Sequence, residues 1–479
     1  MQDFCIFGQI NTARSMNVNY RYLLTISIVT AMGGLLFGFD ISVISGTIPF
    51  IQDYFELNEV TKGWVVSSAL IGCIIGASYS GRLGDRFGRK RILMITSVLF
   101  AISAIGSGIS NTVTAFIFYR ILGGLAVGGA SVLAPVYIAE VSPALLRGRM
   151  VSINQLTIVL GISLAYYSNW FLLATGDSAW RWMFAAEAVP AVLFLAALFI
   201  IPESPRWLVA RQKDAQAKKV LEKISGPDFA SFELKEIKAS LAGSQKRGTL
   251  KEAFQKKYAF ILFIGIFLAV FQQWSGINVI FFYAPDIFAK ANLGVDSALF
   301  QTTLIGLMNI VFTILAMKVI DRVGRKKLML IGAAGMAVCY IIIGFLFSAG
   351  KTGDWWLLSF IIITPAFFAF GLGPTVWVVL SEIFPNKIRG AAMSAATFCL
   401  WVACYILTLT FPILVEWLNP ANTFWIYAAI CILGYFIIFR FLPETRGISL
   451  EQLERKLVRE TPHTAPKQPT EDLHLKPVQ

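Results

Sequence analysis

Residues 81–91 read Gly81-Arg82-Leu83-Gly84-Asp85-Arg86-Phe87-Gly88-Arg89-Lys90-Arg91. Charge and glycine crowd into one short turn, with a long apolar run on either side. The stretch has an echo. Asp321-Arg322-Val323-Gly324-Arg325-Lys326 repeats its Asp-x-x-Gly-Arg-Lys core about 236 residues later. Glu140-Val141-Ser142-Pro143 with Arg147 and Gly148 matches Glu382-Ile383-Phe384-Pro385 with Arg389 and Gly390, at an offset of about 242. Pro202-Glu203-Ser204 matches Pro443-Glu444-Thr445 at about 241. Three echoes in one order at nearly one offset mean two homologous halves.

Composition says what those halves are made of. Of the 479 residues 56% are hydrophobic and only 14% charged, with a mean hydropathy of +0.68. A soluble domain carries about 25% charge. The charges cluster and leave apolar runs of roughly twenty residues, long enough to cross a bilayer core of about 30 Å. The runs do not alternate, which excludes a β-barrel. The chain reads as an all-α polytopic membrane protein, with the lipid bilayer as its main partner.

The net charge of +13 is explained by Lys and Arg in short loops on one side of the membrane, so no nucleic-acid partner is expected. The cysteines other than Cys5 fall inside apolar runs and read as small buried hydrophobes. The only histidines, His463 and His474, lie near the C-terminus. Proton chemistry inside the membrane therefore falls to carboxylates. There is no GxxxxGK phosphate loop and no metal-ligand cluster, so the expectation is no enzyme, no cofactor and no metal.

Twelve spans are predicted: 22–47, 61–81, 91–110, 112–138, 149–173, 180–201, 258–286, 297–320, 327–349, 355–381, 390–416 and 422–442. The basic residues of 82–91, Arg147, Arg149, Arg322–Lys327, Lys387 and Arg389 occupy alternate connections, and the others carry acids or little charge. Positive loops stay in the cytoplasm, which places both termini there. The chain divides into a cytoplasmic segment 1–20 with no cleavable signal, a six-helix half 21–201, a linker 202–257 with short helices at 214–225 and 232–242, a second half 258–442, and a tail 443–479. Ser449 is a candidate cap for a last short helix, and the proline-rich remainder is expected to be disordered. Gly34 and Gly38, Gly72 and Gly76, and Gly124 and Gly128 predict close helix packing. Gly371-Leu372-Gly373-Pro374 predicts a break in span ten.

Three charged residues lie well inside spans, away from their ends. Asp40 lies about 18 residues into span one, roughly 27 Å at 1.5 Å per residue. Arg120 lies about eight residues into span four from the opposite side, at a similar depth. Glu187 lies in span six. Such charges are functional candidates by default.

These motifs resemble the sugar porter family of the major facilitator superfamily, and within it the bacterial sugar–proton symporters such as the xylose–proton symporter. The resemblance rests on residues 81–91, Arg120-Ile121-Leu122-Gly123-Gly124, Pro135 to Gly148, Pro202 to Arg206, Gln272-Gln273-Trp274-Ser275-Gly276-Ile277-Asn278, Gly373 to Gly390, and Pro443 to Gly447. It implies the major facilitator fold, twelve transmembrane helices in two six-helix halves around a central site that opens alternately to either side. It implies a multi-pass protein of a cell inner (plasma) membrane, acting as a monomer on a monosaccharide, with the proton as coupling ion.

The resemblance also assigns roles. Gln155, Gln272, Gln273, Asn278, Asn309 and Trp377 match sugar ligands, and Phe37 and Trp401 match aromatic walls; Trp377 and Trp401 follow expected breaks in spans ten and eleven. Amides and aromatic rings suit hydroxyls and a sugar's apolar face. Asp40, Arg120 and Glu187 match the proton-coupling group. Asp85, Arg89, Glu140, Arg147, Asp321, Arg325, Glu382 and Arg389 match a cytoplasmic gate, a latch made when the inner side is shut and solvated when it opens.

The chain departs from the xylose-carrying pattern. Ile162 and Leu400 stand where glutamines are expected, and Phe282 stands for a tyrosine. The pocket is less polar, and glucose, another hexose, a pentose or a cyclic polyol such as inositol all remain open. Two alternatives to symport also stand: an uncoupled facilitator with the same pocket, and a non-transporting sugar sensor.

Overall fold

The computed structural model describes residues 18–143, 145–242, 250–290, 294–353, 355–385 and 387–446. Cys5, both histidines, the Ser449 cap and the proline-rich tail lie outside them.

Each long apolar run is helical, and polar side chains start some of the helices. Asn19 Oδ1 accepts from the Tyr22 N–H at 3.1 Å to open α1 (Tyr20–Tyr54). Asn58 does the same for Thr61 at 2.8 Å to open α2 (Glu59–Phe87). Such side chains satisfy donors that a helix start leaves orphaned. Then come α3 (Arg89–Ile109), α4 (Val113–Val141), α5 (Arg147–Leu172), α6 (Ala179–Ala186) and α7 (Ala188–Ile200). The linker holds α8 (Pro205–Ala210), α9 (Asp214–Ser225), α10 (Pro227–Ala242) and α11 (Leu250–Ala253). Both expected linker helices are present, the second starting several residues early. The second half holds α12 (Ala259–Trp274), α13 (Ile277–Lys290), α14 (Val295–Val323), α15 (Arg325–Ser348), α16 (Trp355–Phe370), α17 (Leu372–Ile383) and α18 (Arg389–Phe441).

Among the described residues, ten continuous stretches are long and apolar enough to span a bilayer. Two of them, Arg147–Ile200 and Arg389–Phe441, run to 54 and 53 residues, twice what one crossing needs. Each reverses at one residue with positive φ, Gly176 (φ 79°) and Asn419 (φ 66°). The result is twelve crossings.

Span ten breaks at Gly371 as expected. Span seven also breaks, between Trp274 and Ile277, where Gly276 takes φ 85°. The expected break before Trp401 is absent: α18 is helical from Arg389 until Asn419. No proline precedes Trp401 in that helix, so nothing removes a backbone hydrogen bond there.

The glycine pairs let helices touch. A Cβ at Gly72, Gly76, Gly124 or Gly128 would strike the backbone of the facing helix between α2 and α4. Gly38 sits in the same way on the Ile158 carbonyl of α5. The halves meet where α2 packs on α18, α5 on α14 and α1 on α13. One end of the bundle carries residues 81–91 and 321–326 and is the motif end; the other is the far end.

Candidate functional site

The first half buries charge at mid-depth. Asp40 on α1 is 0% exposed and Arg120 on α4 is 1% exposed. Arg120 Nη1 donates to Asp40 Oδ1, and Nη2 donates to the Asp40 backbone carbonyl at 3.3 Å. The guanidinium also lies 5.5 Å from the centroid of the Phe184 ring. Gly123 makes room for the pair, since a Cβ there would collide with Asp40 Oδ2 and Ser103 Oγ. Asp40 Oδ2 and Arg120 Nε are buried without a hydrogen-bond partner among the described residues. Glu187 sits at the joint between α6 and α7. It is 1% exposed, and its Oε1 has no such partner. A carboxylate with one oxygen on a cation and the other unpartnered in a dry setting can hold either a charge or a proton.

The second half puts amides at the broken seventh span. Asn278 Nδ2 donates to Gln273 Oε1, and Gln273 Nε2 donates to Gln272 Oε1 at 3.3 Å. Gln272 Nε2 then donates to the Leu372 and Gly373 carbonyls, both at 3.1 Å, at the start of α17. The break at Gly276 brings Asn278 back towards the glutamines, and the chain of amides ties the two broken spans together. Gln155 on α5 and Trp377 on α17 are half-buried, and Asn309 on α14 is buried. Among the described residues these three are not part of the amide chain. Phe37 of the first half meets Trp401 of the second with ring centroids 5.7 Å apart. Trp401 Nε1 is buried without a partner among the described residues.

Contacts that join the halves run from this depth to the far end. Ser163 Oγ donates to the Gly306 carbonyl at 2.9 Å and Tyr166 Oη to the Phe281 carbonyl at 2.8 Å. Trp64 meets Tyr405, and Trp170 meets Phe300.

At the motif end the charges pair inside each half. Arg89 Nη2 donates to Asp85 at 2.7 Å and to Glu140 at 3.0 Å. Arg325 lies 3.0 Å from Asp321 and donates to Glu382 at 3.1 Å. Arg147 Nε donates to the Ala139 carbonyl and Arg389 Nε to the Phe384 carbonyl, each at 3.1 Å. Arg147 also acts on Glu233 of α10, whose carboxyl burial pushes above its ordinary value while the arginine pulls it back. Arg89 and Arg325 thus close on their own halves, in a structure whose halves also touch at the far end.

The family model described as "Sugar (and other) transporter" matches residues 26–457. The chain belongs to this sugar transporter family. The D-xylose-proton symporter of Escherichia coli K12 is 41% identical over 489 aligned residues, covering 94% of this chain and 99% of that one. The arabinose-proton symporter of Bacillus subtilis is 40% identical, covering 91% and 96%. An inward-open structure of the E. coli xylose transporter XylE aligns with a TM-score of 0.81 at 39% identity, over 91% of this chain and all of that one. The protein is a multi-pass membrane transporter of the major facilitator fold, not an enzyme.

In this sugar transporter the echo motifs have members whose part the sequence did not disclose. Glu203 Oε1 accepts from the Arg89 and Lys90 N–H groups at 3.0 and 3.2 Å. Glu444 accepts from those of Arg325 and Lys326 at 2.9 and 3.2 Å. Each carboxylate thus caps the start of α3 or α15, where orphan N–H groups and the helix dipole favour an anion. Gly88 (φ 105°) and Gly324 (φ 98°) make the approach possible, since a Cβ on either would collide with that glutamate. The spacing of Pro-Glu-Ser/Thr was the available signal, but a repeat does not name its partner.

Proposed function

We propose that this sugar transporter is a proton-coupled symporter that moves a monosaccharide by alternating access, with the motif end cytoplasmic and both termini on that side of a cell inner membrane. The observation that carries the coupling is Asp40: fully buried, one oxygen on Arg120, the other without a partner among the described residues. While it stays on Arg120 the carboxylate holds its charge. Once a change in helix packing parts the two, the charge is too costly in so dry a place and a proton is taken up. Glu187 tunes the pair.

Gln155, Gln272, Gln273, Asn278, Asn309 and Trp377 bind the sugar's hydroxyls, and Phe37 and Trp401 flank its ring. The basic loops at the motif end support the orientation, and relatives that carry xylose and arabinose support a monosaccharide. Asp40→Asn, reconstituted in proteoliposomes, is expected to keep sugar binding and counterflow and to lose accumulation driven by a proton gradient. Accumulation that persists in Asp40→Asn and still collapses with a protonophore assigns the proton to another route. Wild-type uptake unaffected by a protonophore makes the protein a facilitator.

A further inference from the structure

Lys62 is the buried cation that the mechanism above leaves unused. It lies in the first turn of α2 at the far end, where the positive-inside pattern places few cations. Its side chain is 1% exposed. Glu59, one turn back on the same helix, contacts its Nζ at 2.7 and 2.8 Å. Asp286 on α13, in the other half, lies 3.8 Å from the same Nζ. Asp286 has a second neighbour, Lys290, at 3.7 Å on its own helix. The cover is local and tight. The next residue, Gly63, has its Cα against the Leu409 carbonyl of α18, so that a Cβ would collide there, and Trp64 packs edge-on against Tyr405.

Glu59 alone does not account for this arrangement. A lysine paired with a glutamate on one exposed helical turn stays in water and gains little. Here α13 and α18 of the second half lie over the pair and take the water away, which costs several kcal/mol per ion unless the partners are in place. The burial exists only while the two halves touch at this end. When α2 parts from α13, Lys62 and Asp286 return to solvent.

We infer that Glu59, Lys62 and Asp286 form a three-charge bolt across the far seam, which sets how often the far gate opens. The inference rests on the reading above that the halves exchange access. Under it, Asp286 holds the gate shut by compensating a cation that Glu59 alone compensates incompletely. Removing the acid leaves an under-paired buried charge and favours opening. Removing the cation together with both acids relieves the burden, because no buried charge is then left unpaired, and neutral side chains of similar size restore closure.

The test is the distance between spin labels at Asp177 and Lys351, both exposed at the far end in opposite halves, measured by pulsed dipolar spectroscopy on the full chain. Asp286→Asn is expected to raise the population with the longer separation at least threefold, and Glu59→Gln to move it in the same direction. Lys62→Met together with Glu59→Gln in the Asp286→Asn background is expected to reverse the shift, and Lys290→Met alone to leave the distribution as in wild type. An unchanged distribution in both acid variants, or an equal shift in Lys290→Met, overturns the inference. The measurement needs no gradient, so it stands apart from the wild-type uptake assay that tests symport.

Discussion

Arg89 and Arg325 are repeat mates with nearly the same surroundings, yet the clusters around them are not equally complete. In the first half Glu140 spends one oxygen on Arg89 and the other on Ser204, whose Oγ donates to it at 2.5 Å. In the second half the matching atoms do not meet. Glu382 Oε2 and Thr445 Oγ1 are both buried without a hydrogen-bond partner among the described residues, as is Arg325 Nε. Buried polar atoms left unpaired cost about 1–3 kcal/mol each. Among the described residues the first cluster is fully bonded and the second holds unmet bonds. With the far end shut, the second half is thus the part of the motif end with bonds still to gain from a rearrangement.

The same contrast recurs at mid-depth. Gly38-Phe39-Asp40 in span one and Gly276-Ile277-Asn278 in span seven sit at matching places of the repeat. One half carries a carboxylate against an arginine, and the other an amide against amides. On the function proposed above, a duplicated scaffold has divided its labour, with the proton in one half and most of the sugar's hydroxyls in the other.

The sharpest way to break that division is Asp40→Asn, which makes the two positions chemically alike. Gradient-driven accumulation is expected to vanish while sugar affinity stays within about twofold, because one amide-for-acid change outside the pocket is worth well under 1 kcal/mol to the sugar. Radiolabelled uptake and equilibrium binding read the two separately. Next in size, Gln272→Ala is expected to weaken sugar binding at least tenfold, in line with about 1–3 kcal/mol for a lost buried amide. Calorimetric titration decides it, and unchanged affinity in both Gln272→Ala and Gln273→Ala removes the amides from the site.

Arg89→Ala is expected to lower stability in detergent by on the order of 3 kcal/mol, since two acids lose a partly buried cation. Arg325→Ala should cost visibly less, and equal melting midpoints would dissolve the comparison between the clusters. Smaller again, Ser204→Ala is expected to cost about 1 kcal/mol, whereas Thr445→Val should be neutral or stabilising. The smallest effect concerns Glu233, whose raised carboxyl makes the charged form the less comfortable one in the fold. Wild-type stability therefore falls as pH rises through that group's folded value. Glu233→Gln should raise the melting midpoint slightly at pH 8 and leave it unchanged at pH 4.

Much of this was legible in the residues because a bilayer leaves few choices. Twenty apolar residues in a row span it, and a charge inside a span must find a partner, so Asp40 and Arg120 pointed to each other across eighty positions. What stayed hidden depended on which half a group faces. Fixed spacing in Asp85-x-x-x-Arg89 fits a bond within a half as well as one between halves. Nothing in the sequence sets Lys62 apart, because burial by a helix more than two hundred residues away leaves no local mark. The break at Gly276 was missed for a similar reason. A lone glycine in an apolar run is common packing material, and only Tyr340 and Tyr427, which crowd its Cα, show that the chain turns there.

The capping glutamates bear on how the protein is made. Glu203 and Glu444 each follow the sixth crossing of a half and reach back to the turn between its second and third crossings. Each half is therefore tied off by residues that leave the ribosome last among its own. The first can lock while the second is still being synthesised, but the second must hold an untied charged turn at the membrane surface until its last crossing is complete. A translational pause within the linker, late enough for Glu203 to have cleared the ribosome, would give the first half time to close before α12 arrives, and the waiting partner in the membrane would then be a finished surface instead of six loose helices.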